Sequence, residues 1–321
     1  MEAEAPIRDQ SLEYHGVPGK DVAIESANPK NHYEAIQSPQ SPEHVTLDGK
    51  LFLPTGDRPA PVVVIVPGSL GVGPNHLAHA KTLVGEGFGV LVVDPFRARS
   101  VQSTVANQAQ YSFAASAFDV LAALRFLRAR DDVDSSRITA QGHSRGGSAV
   151  TIAAMRRFAD PIAGEDAAFA GVYAVYPWCG HQFADPRIGA TCFRAIVGER
   201  DEWVSVQQVQ AQAHAIHIAG GDSSARVVAG AHHSFDRLEP VHTIEDAAVA
   251  PTAATAYLAN DGAVIDSYTG EPNPDLCDYD VFLAGARGGH ARTGAAIGGT
   301  EGEPELFRED MLAFHRSVLS R

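Results

Sequence analysis

The sequence predicts an α/β fold: a doubly wound, mostly parallel sheet with flanking helices and a long insertion near the C-terminus. Three observations predict it. Continuous apolar runs, such as Pro-Val-Val-Val-Ile-Val at 61–66 and Gly-Val-Leu-Val-Val at 89–93, read as strands buried on both faces. Segments with apolar residues at three-and-four spacing lie between such runs, and this alternation implies parallel strands joined by right-handed crossovers. A Gly-x-Ser-x-Gly pentapeptide at 142–146 stands between an apolar strand and an apolar helix.

Taken in order, residues 1–40 are polar, carry several prolines and asparagines, and are expected to form an N-terminal arm before a main domain over 41–321. A strand or hairpin around Asp48-Gly49 is expected over 44–53. The strand at 61–66 runs into the turn Pro67-Gly68-Ser69-Leu70-Gly71-Val72-Gly73, followed by a helix over 76–86 and the strand at 89–93. Asp94-Pro95-Phe96-Arg97-Ala98-Arg99 is then a loop at a strand's C-terminal end. From 111 to 130, Ala114, Ala117, Phe118, Leu121 and Leu124 form one helical stripe. A strand at 137–141 and a helix at 148–158 flank the pentapeptide. Further strands are expected at 170–176, 192–197 and 225–228, with a helix over 205–218. A last amphipathic helix over 305–319 presents Phe307, Met311, Phe314 and Val318. Residues 238–304 break the rhythm with small residues and glycines, as a cap over the site or as a surface for self-association into a homodimer.

Composition narrows the function. The 321 residues are 45% hydrophobic, enough for a sizeable core, and a formal charge of -14 disfavours nucleic acid and anionic membrane as partners. Cys179, Cys192 and Cys277 form no C-x-x-C pair, which suits a reducing compartment rather than a disulfide framework. With neither the pattern of a signal peptide nor a run long enough to span a bilayer, a cytoplasmic protein is expected.

The pentapeptide carries the chemistry. It arises by chance in roughly one chain of this length in ten, so its position between strand and helix decides its weight. In that position it is the nucleophile elbow of the α/β-hydrolase fold, with Ser144 on a strained bend between Gly142 and Gly146. The N–H of Arg145 then points at a developing oxyanion from a helix N-terminus. A serine hydroxyl needs a base and an acid, which in this fold follow it in the order acid, then histidine. The loop Gly198-Glu199-Arg200-Asp201-Glu202-Trp203 offers Asp201, with Glu199 and Glu202 as rivals. The loop 229–236 offers His232 or His233, which residue-level reasoning does not separate. The second oxyanion donor is expected from the N–H of Ser69, with Leu70 behind it.

Around the pocket, Trp178 lies just past a strand end, and Arg97 and Arg99 are placed to pair with a substrate carboxylate. Leu70 and His143 complete this set, the His143 ring turned away from Ser144 into packing. Cys179 has no activating partner and is expected to be inert. His76-x-x-His79 has no acidic or cysteine partner nearby in sequence, so neither metal nor cofactor is expected.

Gly142-His143-Ser144-Arg145-Gly146-Gly147, the Asp201 loop and Gly230-Ala231-His232-His233-Ser234-Phe235-Asp236 together resemble the dienelactone hydrolase family of α/β-hydrolases. Asp94-Pro95-Phe96 and Pro67-Gly68-Ser69 are similar too, so the resemblance covers 45–236 and the final helix. It implies Ser144 as nucleophile, Asp201 as acid and, from a Gly-Ala-x-His-x-Phe pattern, His233 as base, with oxyanion contacts from Ser69 and Arg145. Two departures stand out. The founding members use cysteine in place of Ser144 and a glutamate in place of Gly68, so a general carboxylesterase acting on a small-molecule ester or lactone is expected. Two alternatives are an acyltransferase using the same residues and a nucleotide-dependent oxidoreductase built on Gly68, Gly71, Gly73 and Asp94. The second has the glycine order G-x-x-G-x-G rather than G-x-G-x-x-G.

Overall fold

The computed structural model describes residues 6–56 and 58–320. Strands β1 (Glu13–Tyr14) and β2 (Val17–Ala27) come first, then a short helix α1 (His32–Gln37) whose N-cap Asn31 accepts the Glu34 N–H. Residues 13–14 and 17–27 are therefore strands joined by a tight turn rather than the irregular arm expected. β2 pairs antiparallel with β3 (His44–Phe52), from Gly19 opposite Phe52 to Ala27 opposite His44. One face of β2 is solvated, so it needs no continuous apolar run and holds Pro18, Gly19, Lys20 and Asp21. β3 runs straight through Asp48-Gly49 without a hairpin. A Cβ on Gly49 would lie 3.0 Å from Val22 and 3.2 Å from Leu91, so this glycine serves close packing rather than a turn.

The wound part follows: β4 (Ala60–Val66), α2 (Pro74–Gly85), β5 (Gly89–Asp94), α3 (Phe113–Arg128), β6 (Val133–His143), α4 (Arg145–Ala154), α5 (Arg156–Ala163) and β7 (Gly171–Val175). After a short β8 (His181–Phe183) come β9 (Cys192–Gly198), α6 (Val206–Ile218) and β10 (Ser223–Val228). The nine-stranded sheet has the order β1-β2-β3-β5-β4-β6-β7-β9-β10. From β5 to β10 every pairing is parallel, so the carboxyl ends of β4, β6, β7, β9 and β10 open on one edge. Ligands bind at such an edge. Val62, Ile65, Leu91, Ala140 and Val172 are wholly buried at the centre of the sheet. All ten residues of α4 are buried as well. The single helix expected over 148–158 is broken at Met155, which is extended (φ -69, ψ 121), and the N–H of Arg156 bonds to Arg187 O instead of continuing the ladder.

Residues 238–304 are built of β11 (His242–Val249), β12 (Ala256–Leu258), β13 (Val264–Ile265), β14 (Pro272–Asn273), α7 (Asp278–Arg287) and β15 (Arg292–Ile297). β11 pairs antiparallel with β15, and β14, β13 and β12 join β8 in a second small sheet. The insertion is tied to the main sheet's helices, since the Asp278 carboxylate accepts the N–H of Phe113 at 2.6 Å. The chain returns as α8 (Glu303–Leu319), burying Phe307, Met311, Phe314 and Val318. No helix among the described residues is long and apolar enough to cross a membrane.

Candidate active site

Ser144 sits where β6 turns into α4 with φ 53 and ψ -114, a left-sided backbone that costs on the order of 1–3 kcal/mol and persists only where the surroundings enforce it. The glycines enforce it. A Cβ on Gly142 would run into the carbonyl of Gly146, and one on Gly146 would lie 2.5 Å from the carbonyl oxygen of Pro67. Parallel strands on both sides therefore press the elbow into a bend that only glycine neighbours permit. The Ser144 N–H bonds to Val175 O at 2.9 Å, pinning the bend to β7.

The Ser144 hydroxyl lies 2.9 Å from His233 Nε2, and His233 Nδ1 lies 2.7 Å from Asp201 Oδ2. The other oxygen of Asp201 accepts the N–H groups of Trp203 (2.8 Å) and Val204 (3.0 Å), so the carboxylate is held from both ends. The two rival acids are engaged elsewhere. Glu199 accepts the N–H of Gly230, and Glu202 accepts the N–H of Ala296. His233 is buried, while the neighbouring His232 is half-buried and its Nδ1 makes no hydrogen bond. The His233 ring is stacked on Trp203 at 5.2 Å and 17° and meets the Tyr176 ring at 4.5 Å.

Facing Ser144 is the turn after β4. Gly68 approaches so closely that a Cβ there would lie 3.1 Å from that of Ser144, which leaves little room for a glutamate at this position. Gly71, at φ 75, closes the turn by donating its N–H to Gly68 O. The Ser69 carbonyl accepts from the N–H of Thr104 and the hydroxyl of Ser103. Arg145 opens α4, where an N–H has no carbonyl one turn back to bond. Between turn and elbow lies a pocket of about 20 Å³, lined by Ser69, Leu70, Ser144, Trp203 and His233 among others.

Leu70 is 42% exposed at the mouth of that pocket. Trp178 lines a much larger cleft of about 1060 Å³ that also reaches Ser69, Ser144 and Arg145. The structure does not bring Arg97 to the site: it pairs on the surface with Asp48 at 2.8 Å. Arg99 is buried in a two-pronged pair with Asp119, a partner 20 residues away that helix α3 carries. Burial pushes the Cys179 thiol up to about 12, in keeping with an inert residue.

His143 lines the smaller pocket, and its ring also belongs to a buried polar network under the elbow. Asp236 accepts from the Tyr176 hydroxyl (2.7 Å), the Asn75 amide (2.9 Å) and His79 (2.8 Å). Sequence reasoning saw no acid near His76-x-x-His79; Asp236 supplies one 157 residues from His79. Burial works against the Asp236 charge, but His79, His143 and Asn75 outweigh it and hold the carboxyl well below its usual range. Ligand atoms of His79, His143 and Asp236 lie within 4.8 Å of one another, as metal ligands would. The same residues are joined in a hydrogen-bond wire. His315 Nε2 donates to Gln141 Oε1, which turns the Gln141 amide toward His143 Nε2 at 2.9 Å. In this arrangement the His143 proton sits on Nδ1, facing the Tyr176 hydroxyl at 3.0 Å.

Comparison with known proteins gives a family. A family model described as the dienelactone hydrolase family matches residues 47–259. No curated protein matches the chain. Among solved structures, the chain is similar to an esterase from Pyrobaculum calidifontis, with 16% identity, 70% of this chain and 78% of that one covered, and a TM-score of 0.50, a likeness of fold. A dienelactone hydrolase-like promiscuous phosphotriesterase from metagenomic libraries (19% identity, 68% and 85% covered, TM-score 0.48) is also similar. So is a thermostable carboxylesterase from a metagenomic library (16%, 70% and 83%, 0.48). The matched stretch holds the elbow, both loops that meet it and the turn facing it, and the chain belongs to the dienelactone hydrolase family of α/β-hydrolases, which are carboxylic ester hydrolases.

Proposed function

We propose that the protein cleaves carboxylic esters through an acyl-enzyme on Ser144, with His233 as general base and acid and Asp201 as the carboxylate that orients it. The hydrogen-bonded line from Ser144 through His233 to Asp201, with steps of 2.9 and 2.7 Å on a strained serine, is the observation that carries this reading. Ser144 Oγ attacks the ester carbonyl as His233 Nε2 takes its proton, and Asp201 stabilises the imidazolium. The oxyanion is received by the N–H groups of Ser69 and Arg145, each worth roughly 3 kcal/mol to the transition state. Collapse expels the alkoxide, which takes the proton from His233. Water, deprotonated by the same ring, then releases the acid and restores the serine.

Ser144→Ala removes the atom that is acylated. Turnover of p-nitrophenyl butyrate is expected to fall roughly 10⁶-fold, with an unchanged melting temperature and loss of fluorophosphonate labelling. Substantial turnover by the variant refutes the assignment.

A further inference from the structure

We infer that the ester carries one large apolar group, seated in the cleft that the insertion builds beside Ser144; this rests on the hydrolase reading above. The two spaces that meet at Ser144 are very unequal. The pocket between Leu70 and His233, at about 20 Å³, holds about one water-sized group, which suits a carbonyl oxygen and excludes a chain. The cleft, at about 1060 Å³, lies just above the range for pockets that enclose drug-sized ligands, roughly 300–1,000 Å³.

Its walls say what it takes. Phe113, Trp178 and Phe282 form an aromatic corner, with ring centroids 4.6 Å (Phe113–Trp178), 5.6 Å (Trp178–Phe282) and 6.1 Å (Phe113–Phe282) apart. On α7, Val281, Phe282 and Leu283 are only half-buried and line the cleft, with Val281 also packing against the core. The helix is held there. Asp278 bonds to the N–H of Phe113, and Asp280 accepts the N–H of Cys277 at 2.9 Å as an N-terminal cap. An apolar surface kept open at this size is costly unless an apolar ligand covers it.

At the inner end of the cleft, beside Ser144, Arg145 is not available to an anionic group. Its guanidinium is already spent on Ser116 Oγ and the carbonyls of Gln108 and Tyr111, and it lies over the rings of Tyr111 and Phe113. Its fork is not left for a carboxylate next to Ser144.

Two ester series of the full chain separate the acyl from the alcohol side: p-nitrophenyl acetate, butyrate, octanoate and laurate, and the ethyl and octyl esters of acetic acid followed by acid release. In one series kcat/KM is expected to rise at least tenfold from the short to the eight-carbon member. Phe282→Ala should lower that long-to-short ratio at least fivefold, and Leu283→Trp, which narrows the cleft, should lower it too. A flat or falling dependence in both series, from an enzyme that turns over acetate, overturns the inference and leaves the hydrolase reading standing. A ratio unmoved by both variants overturns it equally. If no ester is turned over and fluorophosphonate does not label Ser144, the hydrolase reading itself has failed.

Discussion

Asp201→Asn is the sharpest test of how the proposed site works, because the geometry dictates which way the new amide must face. Asp201 Oδ1 accepts two backbone N–H groups, from Trp203 and Val204, and only an oxygen can stay there. The amide NH₂ of the variant therefore occupies the place of Oδ2, 2.7 Å from His233 Nδ1. A donor in that place forces Nδ1 to accept, so the single ring proton moves to Nε2, the atom that faces Ser144. The ring then has no lone pair to take the serine proton. An oriented ring in the wrong tautomer lowers kcat by roughly 10⁴-fold, or about 5 kcal/mol of barrier. Because both backbone bonds survive, the melting temperature should stay within a few degrees of wild type. Steady-state kinetics on a p-nitrophenyl ester near pH 7, beside a thermal melt, measures both. Glu199→Gln and Glu202→Gln serve as comparisons and should change kcat less than tenfold. A loss smaller than tenfold for Asp201→Asn would refute the orienting role, and an equal loss in either glutamine variant would reassign it.

Three further outcomes follow from the packing. Gly146→Ala sets a methyl against the carbonyls of Val66 and Pro67 and should yield little folded protein, as seen by soluble expression and near-ultraviolet circular dichroism; a well-folded variant would mean the elbow is looser than described. Tyr176→Phe removes the hydroxyl bonded to both Asp236 and His143 and leaves two buried polar groups short of a partner, a cost of roughly 1–3 kcal/mol in urea unfolding. Acidification should destabilise the fold early. Burial lowers His76 and His315 to about 3, whereas unfolded histidine takes a proton near 6.5. The unfolded chain therefore binds more protons, and stability that is complete above pH 6.5 is lost as pH falls from there toward 3. The slope is up to about 1.4 kcal/mol per pH unit for each ring. Melting temperatures across pH 4 to 7.5 would show it, and a flat profile would contradict it.

The sheet could be read from the chain where burial writes a simple pattern. β4 and β5 are covered on both faces, so their sequences are unbroken apolar runs. β2 is covered on one face and antiparallel, so its polarity imitates a loop. The residues now seen in one line, Ser144, Asp201 and His233, could be nominated because fold and chain order name the loops that must hold them. Choosing within a loop needed the family pattern or the coordinates. Only there do Glu199 and Glu202 find the backbone amides of Gly230 and Ala296. Arg97 and Arg99 misled for a related reason. Their partners, Asp48 and Asp119, lie on other elements, so two engaged cations looked available. The small sheet of β12–β14 was invisible, because strands of two or three residues carry no period and exist only by leaning on β8.

The end of β15 touches both loops that converge on Ser144. The Ala296 carbonyl receives the Trp203 indole N–H, its amide is held by Glu202, and the N–H of Gly298 bonds to the carbonyl of His233. A single excursion of the backbone therefore both roofs the cleft and steadies the imidazole. During synthesis the elbow can form as soon as β7 emerges, yet its partner ring is not locked until more than a hundred residues later. A change that reshapes this excursion therefore moves a wall of the cleft and the support of the His233 loop together.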